Sequence, residues 1–227
     1  MGSVIKPSAS LDRIEEDVRT AEQRARERPG PIADAAAARL APAITVMDSA
    51  NAILSGAQTA EAAGWTVVSA RDGEADIVLG STRDGMWNAL GRVRNHPAMN
   101  HTFPGGVGTY TAGDPKGQPV LMQVLQTRIP TAEAPQWTAE MRQGWVADVE
   151  AARTPLAAAV DAYRPLDAAL TVAEAGRRAA VRSAHSKLVA FKRDLKNLGL
   201  TETQIHEIIP DSGDGAPKPK KDGGGGT

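Results

Sequence analysis

The amino-acid sequence predicts an all-α protein: an antiparallel bundle of four or five helices, with an irregular Gly/Pro-rich insertion at 96–130 and a disordered C-terminal tail. Three observations carry this expectation. Near the start, Leu11, Ile14, Val18, Ala21 and Ala25 step by 3, 4, 3 and 4 residues. Near the end, Val181, Ala184, Leu188, Phe191, Leu195 and Leu198 repeat the alternation. Such spacing lays a narrow apolar seam along a helix, as in helices that pack lengthwise on one another. Ala is also dense, at 13 of the 33 residues in 31–63. It is the best helix former, and its small side chain lets helices approach closely.

Each element follows from local signals. Residues 1–9 read as a flexible N-terminus, before a single bundle domain over 10–210. Helix one is predicted from Leu11 to about Arg28, with Ser10 as N-cap. Acids in its first turns and Arg24, Arg26 and Arg28 in its last complement the helix dipole. Pro29-Gly30-Pro31 stops it. A second helical region spans roughly 32–63, bent at Pro42, with Leu40, Ile44, Met47, Leu54 and Ala57 on one face. Trp65-Thr66-Val67-Val68 reads as a short strand or more helix, and Asp72-Gly73 as a turn. A third helix is predicted over 74–95 through Leu79, Met86, Leu90 and Val93, although Gly80, Gly85 and Gly91 weaken it.

The segment 96–130 breaks the pattern with clustered Gly and Pro, and its end, PVLMQVLQTRI, fits either a strand or a short helix from Pro119. Helical spacing returns from about Ala134. Pro155 and Pro165 then read as starts of new segments, with Thr154 capping the first, and a break near Arg164-Pro165 turns the chain back as a hairpin. Gly199 ends the last long helix. Thr201-Glu202-Thr203-Gln204 is a capping box opening a short helix through Ile205, Ile208 and Ile209. Beyond Asp211 the tail has nothing to bury.

Composition narrows the function classes. Lys plus Arg is 26 against 27 Asp plus Glu, and cationic residues in the last long helix spread around its solvent side. Both facts argue against a nucleic-acid surface. With no cysteine there are no disulfides, thiolate metal sites or Cys nucleophiles. No apolar run approaches the length of about 18 residues needed to cross a membrane. Lys6 stands where a myristoylation motif wants Ser or Thr, and no secretory signal is visible. The cytoplasm is the expected location.

Candidate chemistry is sparse. Pro104-Gly105-Gly106-Val107-Gly108 invites a phosphate cradle, but no strand precedes it and no Gly-Lys-Ser/Thr follows. A tight turn with positive φ is expected instead. His96 and His101 sit five apart with no Asp or Glu between Asp84 and Asp114, which leaves a metal ligand set incomplete. Arg177, on the seam, is expected near a helix end or reaching outward, the other reading being a register-setting partner for an acid on a facing helix. Trp65, Trp87, Trp137 and Trp145 are expected to plug an Ala-rich core, the other reading being that they line a ligand pocket. The leading expectation is a non-enzymatic structural or protein-interaction bundle, associating with itself or a partner protein, with no cofactor. One alternative is a small-ligand-binding bundle with a pocket near 96–130, at His96, His101, Phe103, Gly105, Gly106 and Tyr110. A second alternative is an enzyme using the His96–His101 loop.

Overall fold

Both seams form helices in the computed structural model, which describes Val4 and residues 6–210. Among these residues every regular element is helical: α1 (Leu11–Arg26), α2 (Pro31–Ala89), α3 (Pro97–Thr102), α4 (Gly108–Thr111), α5 (Gln118–Thr131), α6 (Ala139–Asn197) and α7 (Glu202–Ile208). The expected tail and part of the expected flexible N-terminus lie outside the described residues. The chain divides into two compact units, Met1–Gly56 with Thr171–Thr227, and Ala57–Leu170. Helices α2 and α6 contribute to both.

In the first unit, Ser10 caps α1 by accepting from the Arg13 N–H at 3.4 Å. Ile14, Val18, Ala21 and Ala25 are fully buried in one core with Leu40, Met47, Leu188, Phe191 and Leu195. Burying each large apolar side chain contributes about 1.5–3 kcal/mol. Glu15 and Arg19 of α1 meet Asn51 and Asp48 of α2, so the two helices run antiparallel. Helix α6 ends in a Schellman motif: Gly199, at φ +83°, donates to the Lys196 carbonyl and Leu200 to the Leu195 carbonyl. The Thr201–Gln204 capping box is complete, and Ile205, Ile208 and Ile209 close the core.

Arg177 departs from expectation. It does not reach out to solvent; its guanidinium pairs with Asp12 and Glu15 of α1, and its Nε donates to Asn51 of α2 at 2.9 Å. The register-setting reading is the one the fold adopts.

The second unit packs α3, α4 and α5 against the rest of α2 and α6. Its core joins Leu79 and Met86 to Met122, Leu125, Ile129, Leu156 and Val160. Trp137 is buried, donates from its indole N–H to the Met86 carbonyl at 3.2 Å, and meets Trp145 edge-on at 5.3 Å. Trp65 packs on Tyr163 at 5.3 Å. Of the four indoles expected to plug the core only Trp137 is buried in it; Trp65 and Trp145 are half-buried and pack against it, and Trp87 lies outside it. Gly64 brings α2 close to α6, since a Cβ there would lie 2.6 Å from Leu166 Cδ1.

Three boundary expectations are overturned. The second and third predicted helices are one, because α2 continues for 59 residues through Trp65–Val68 and Asp72-Gly73. Burial of Val68, Ala75 and Leu79 outweighs the cost of about 1 kcal/mol for each interior glycine. The hairpin near Arg164-Pro165 is absent: α6 is also 59 residues long, with both prolines inside it. Thr154 accordingly caps nothing and donates to Glu150 at 3.0 Å. The segment 96–130 is largely helical, its irregular parts confined to His96, 103–107 and 112–117, and of the two alternatives for its end the helix is the one that forms. Val93 and Leu198, expected on apolar faces, are exposed.

Candidate functional site

The second unit holds a cleft of about 490 Å³ where the end of α2 meets α3 and the Gly105-Gly106 turn. Its shape comes from how α2 stops. Gly91, at φ +66°, donates to the Asn88 carbonyl and Arg92 to the Trp87 carbonyl, a second Schellman motif. Arg92 and Asn95 are also left-handed, at φ 61° and 55°, so the chain doubles back across Trp87. Such conformations are costly for non-glycine residues and occur where surrounding structure enforces them. Here the Trp87 indole N–H donates to the Val93 carbonyl at 3.2 Å and locks the turn.

Trp87 gathers cations. The Arg83 guanidinium lies 4.8 Å from its ring centroid and that of Arg92 5.8 Å. Arg92 is fixed further by donating to Asn88 at 2.8 Å. Arg83 and Arg94 line the cleft with the side-chain amides of Asn95 and Asn100, and no carboxylate lines it. Asp84 pairs with Arg83 at 2.6 Å, whereas Arg94 has no carboxylate partner among the described residues. The apolar wall is Val93, Met99 and Phe103. Across the floor, Gly105 has φ +79°, and a Cβ there would sit 2.8 Å from Thr109 Oγ1, so no larger residue fits without movement.

The six sequence-nominated residues divide. Phe103, Gly105 and Gly106 line the cleft. Tyr110 is buried beneath it, its hydroxyl donating to the Thr102 carbonyl at 3.1 Å and accepting from Arg128 at 2.9 Å, its ring edge-on to Phe103 at 5.5 Å. His96 caps α3 through Nδ1, which accepts from the Ala98 N–H at 3.2 Å, and His101 hydrogen-bonds Thr131 at 3.0 Å. Neither histidine lines the cleft, and the described residues contain no group of three His, Asp or Glu able to hold a metal. Sequence reasoning missed Arg83 and Arg94, and set Trp87 among the core-plugging indoles ahead of the pocket-lining reading. A signal was present: residues 85–113 contain no acid but two arginines.

No helix among the described residues is long and apolar enough to cross a membrane. Compared with known proteins, the chain matches no family model, no curated protein sequence and no solved structure.

Proposed function

We propose that this protein is a ligand-binding helical bundle whose site is the cleft at the end of α2, and that it acts without catalysing a reaction. The observation that supports this reading most is the lining itself. A concave site with an apolar wall, a few convergent polar groups and a rigid frame is the usual form of a small-molecule site. Here the frame is the strained turn 91–95 locked by Trp87, and the polar groups are Arg83, paired with Asp84, together with Arg94, Asn95 and Asn100. Strain of this kind belongs with sites that must be preorganised.

Native mass spectrometry of the full chain with a small-molecule library tests it, using wild type and Asn100→Trp, which fills the cleft from an exposed position on α3. Compounds retained one per chain by wild type and lost from an equally stable Asn100→Trp support the reading. Equal retention by both contradicts it.

A second reading, a protein-interaction bundle, draws on a different surface. Val120 and Val124, one turn apart on α5, are exposed, and a mainly apolar groove is lined by Pro130 of α5 and Val146 of α6. Light scattering across a concentration series tests it, with a concentration-dependent mass expected. A mass of one chain throughout removes self-association.

A further inference from the structure

The cleft's charge arrangement narrows what it takes. Resting on the reading of this cleft as a ligand site, we propose that its occupant is an organic monocarboxylate with a short apolar body, the carboxylate held by Arg94 and the body laid against Val93, Met99 and Phe103. Two guanidiniums line the cleft, but one is already neutralised, because Arg83 is paired with Asp84. Arg94 is the lining cation with no carboxylate partner among the described residues, and Asn95 and Asn100 stand in the same lining. One such guanidinium in the lining suits a single carboxylate, whereas a phosphate dianion would also draw on Arg92, whose guanidinium lies 5.8 Å from the Trp87 ring centroid.

The guanidinium fork also suits a planar carboxylate, since two parallel N–H donors can meet its two oxygens. Amide N–H groups add donors without adding charge. Opposite them, Met99 supplies an adaptable thioether and Phe103 a ring fixed edge-on by Tyr110. An acidic head with an apolar body uses both features of the cleft, the exposed Arg94 and the apolar wall.

The experiment follows the indole N–H resonance of Trp87 in the full chain, assigned with Trp87→Phe. The probes are 3-phenylpropanoate, the neutral 3-phenylpropanamide and 3-phenylpropyl phosphate. The carboxylate is expected to shift the resonance saturably, the amide to bind about tenfold more weakly, and Arg94→Gln to weaken the carboxylate by about the same factor. Added salt is expected to weaken the carboxylate and not the amide. Equal binding of carboxylate and amide, or indifference to Arg94→Gln, overturns the carboxylate assignment while leaving the cleft as a ligand site. Tighter binding of the phosphate overturns it likewise. If none of the three moves Trp87, the carboxylate proposal fails, and the library measurement on Asn100→Trp still decides the broader reading. Should Arg94→Gln prove unfolded, Arg94→Lys serves, with weakening again expected because a lysine cannot form the fork.

Discussion

Arg177 of α6 lies 3.5 Å from Glu15 of α1, and the same guanidinium donates to Asn51 of α2. One side chain therefore ties three helices of the first unit at a single level. Glu15 also accepts from Arg19 at 2.7 Å and Asn51 at 2.8 Å, so each charge has several partners. Partly buried groups of this kind contribute little as pairs but cost more when one partner is removed. Arg177→Ala is expected to lower the unfolding free energy by about 1–3 kcal/mol, measured by urea denaturation. Arg177→Lys is expected to recover only part, since an ammonium cannot span Asp12, Glu15 and Asn51 as the fork does. Full recovery by lysine would reduce the network to a simple charge effect.

Phe191 is fully buried in the core shared by α1, α2 and α6. Phe191→Ala is expected to cost about 3–5 kcal/mol, the range for truncating a buried aromatic. A cost below about 1 kcal/mol, typical of surface positions, would contradict the burial of the seam.

Interior glycines of α2 differ in what surrounds them. Nothing lies within 4 Å of a Cβ built at Gly73 or Gly80. Gly73→Ala and Gly80→Ala are each expected to stabilise by about 0.5–1 kcal/mol through helix propensity and a less flexible unfolded chain. Gly64→Ala is expected to gain less, because its Cβ meets Leu166 at 2.6 Å and Tyr163 at 3.3 Å. Melting temperatures of the three variants check the order. An equal gain at Gly64 would mean the helices are not held closely there.

Tyr163 donates to the Glu61 carboxylate, and that hydrogen bond, with burial second, pushes its phenol up to about 12 from 10.0. A group whose pKa is raised on folding stabilises the fold fully below its unfolded value and loses that contribution as pH rises through the folded one. Stability of the second unit is therefore expected to fall between pH 10.0 and about 12 on this account. In Tyr110→Phe, which leaves a single tyrosine, ultraviolet titration should show a midpoint near 12, and adding Glu61→Ala should lower it. A midpoint near 10.0 with Glu61 intact would remove the hydrogen bond as its cause.

Local signals were legible in the sequence and tertiary ones were not. The Ser10 cap, the Gly199 stop and the Thr201–Gln204 box each act within one turn, and each appears where their spacing places it. Pro155 and Pro165 read as breaks because a proline removes one helical hydrogen bond. At Pro165 the freed carbonyl belongs to Asp161, one turn back on the same exposed strip, so it is not left without a donor in the core. Burial of Leu156, Val160 and Tyr163 on the opposite face then carries α6 through. The His96–His101 pair drew attention through residue type, yet His96 is used in a local cap and His101 in a hydrogen bond to Thr131 of α5. Trp87 resembled its three core counterparts in sequence. Only the turn 91–95, set by Gly91 and two left-handed residues, turns it towards a cleft.

The most direct test of the cleft as the functional site is a fragment screen of the full chain, mapped by the four indole N–H resonances. Trp87 lines the cleft, Trp145 lines a separate groove in contact with the buried Trp137, and Trp65 packs on Tyr163, so Trp87 is the one of the four that reports on the cleft. The account predicts that hits move Trp87 first and saturably, and that Asn100→Trp abolishes those shifts without changing the melting temperature. Hits that move Trp145 while leaving Trp87 still would place the binding surface elsewhere and contradict it.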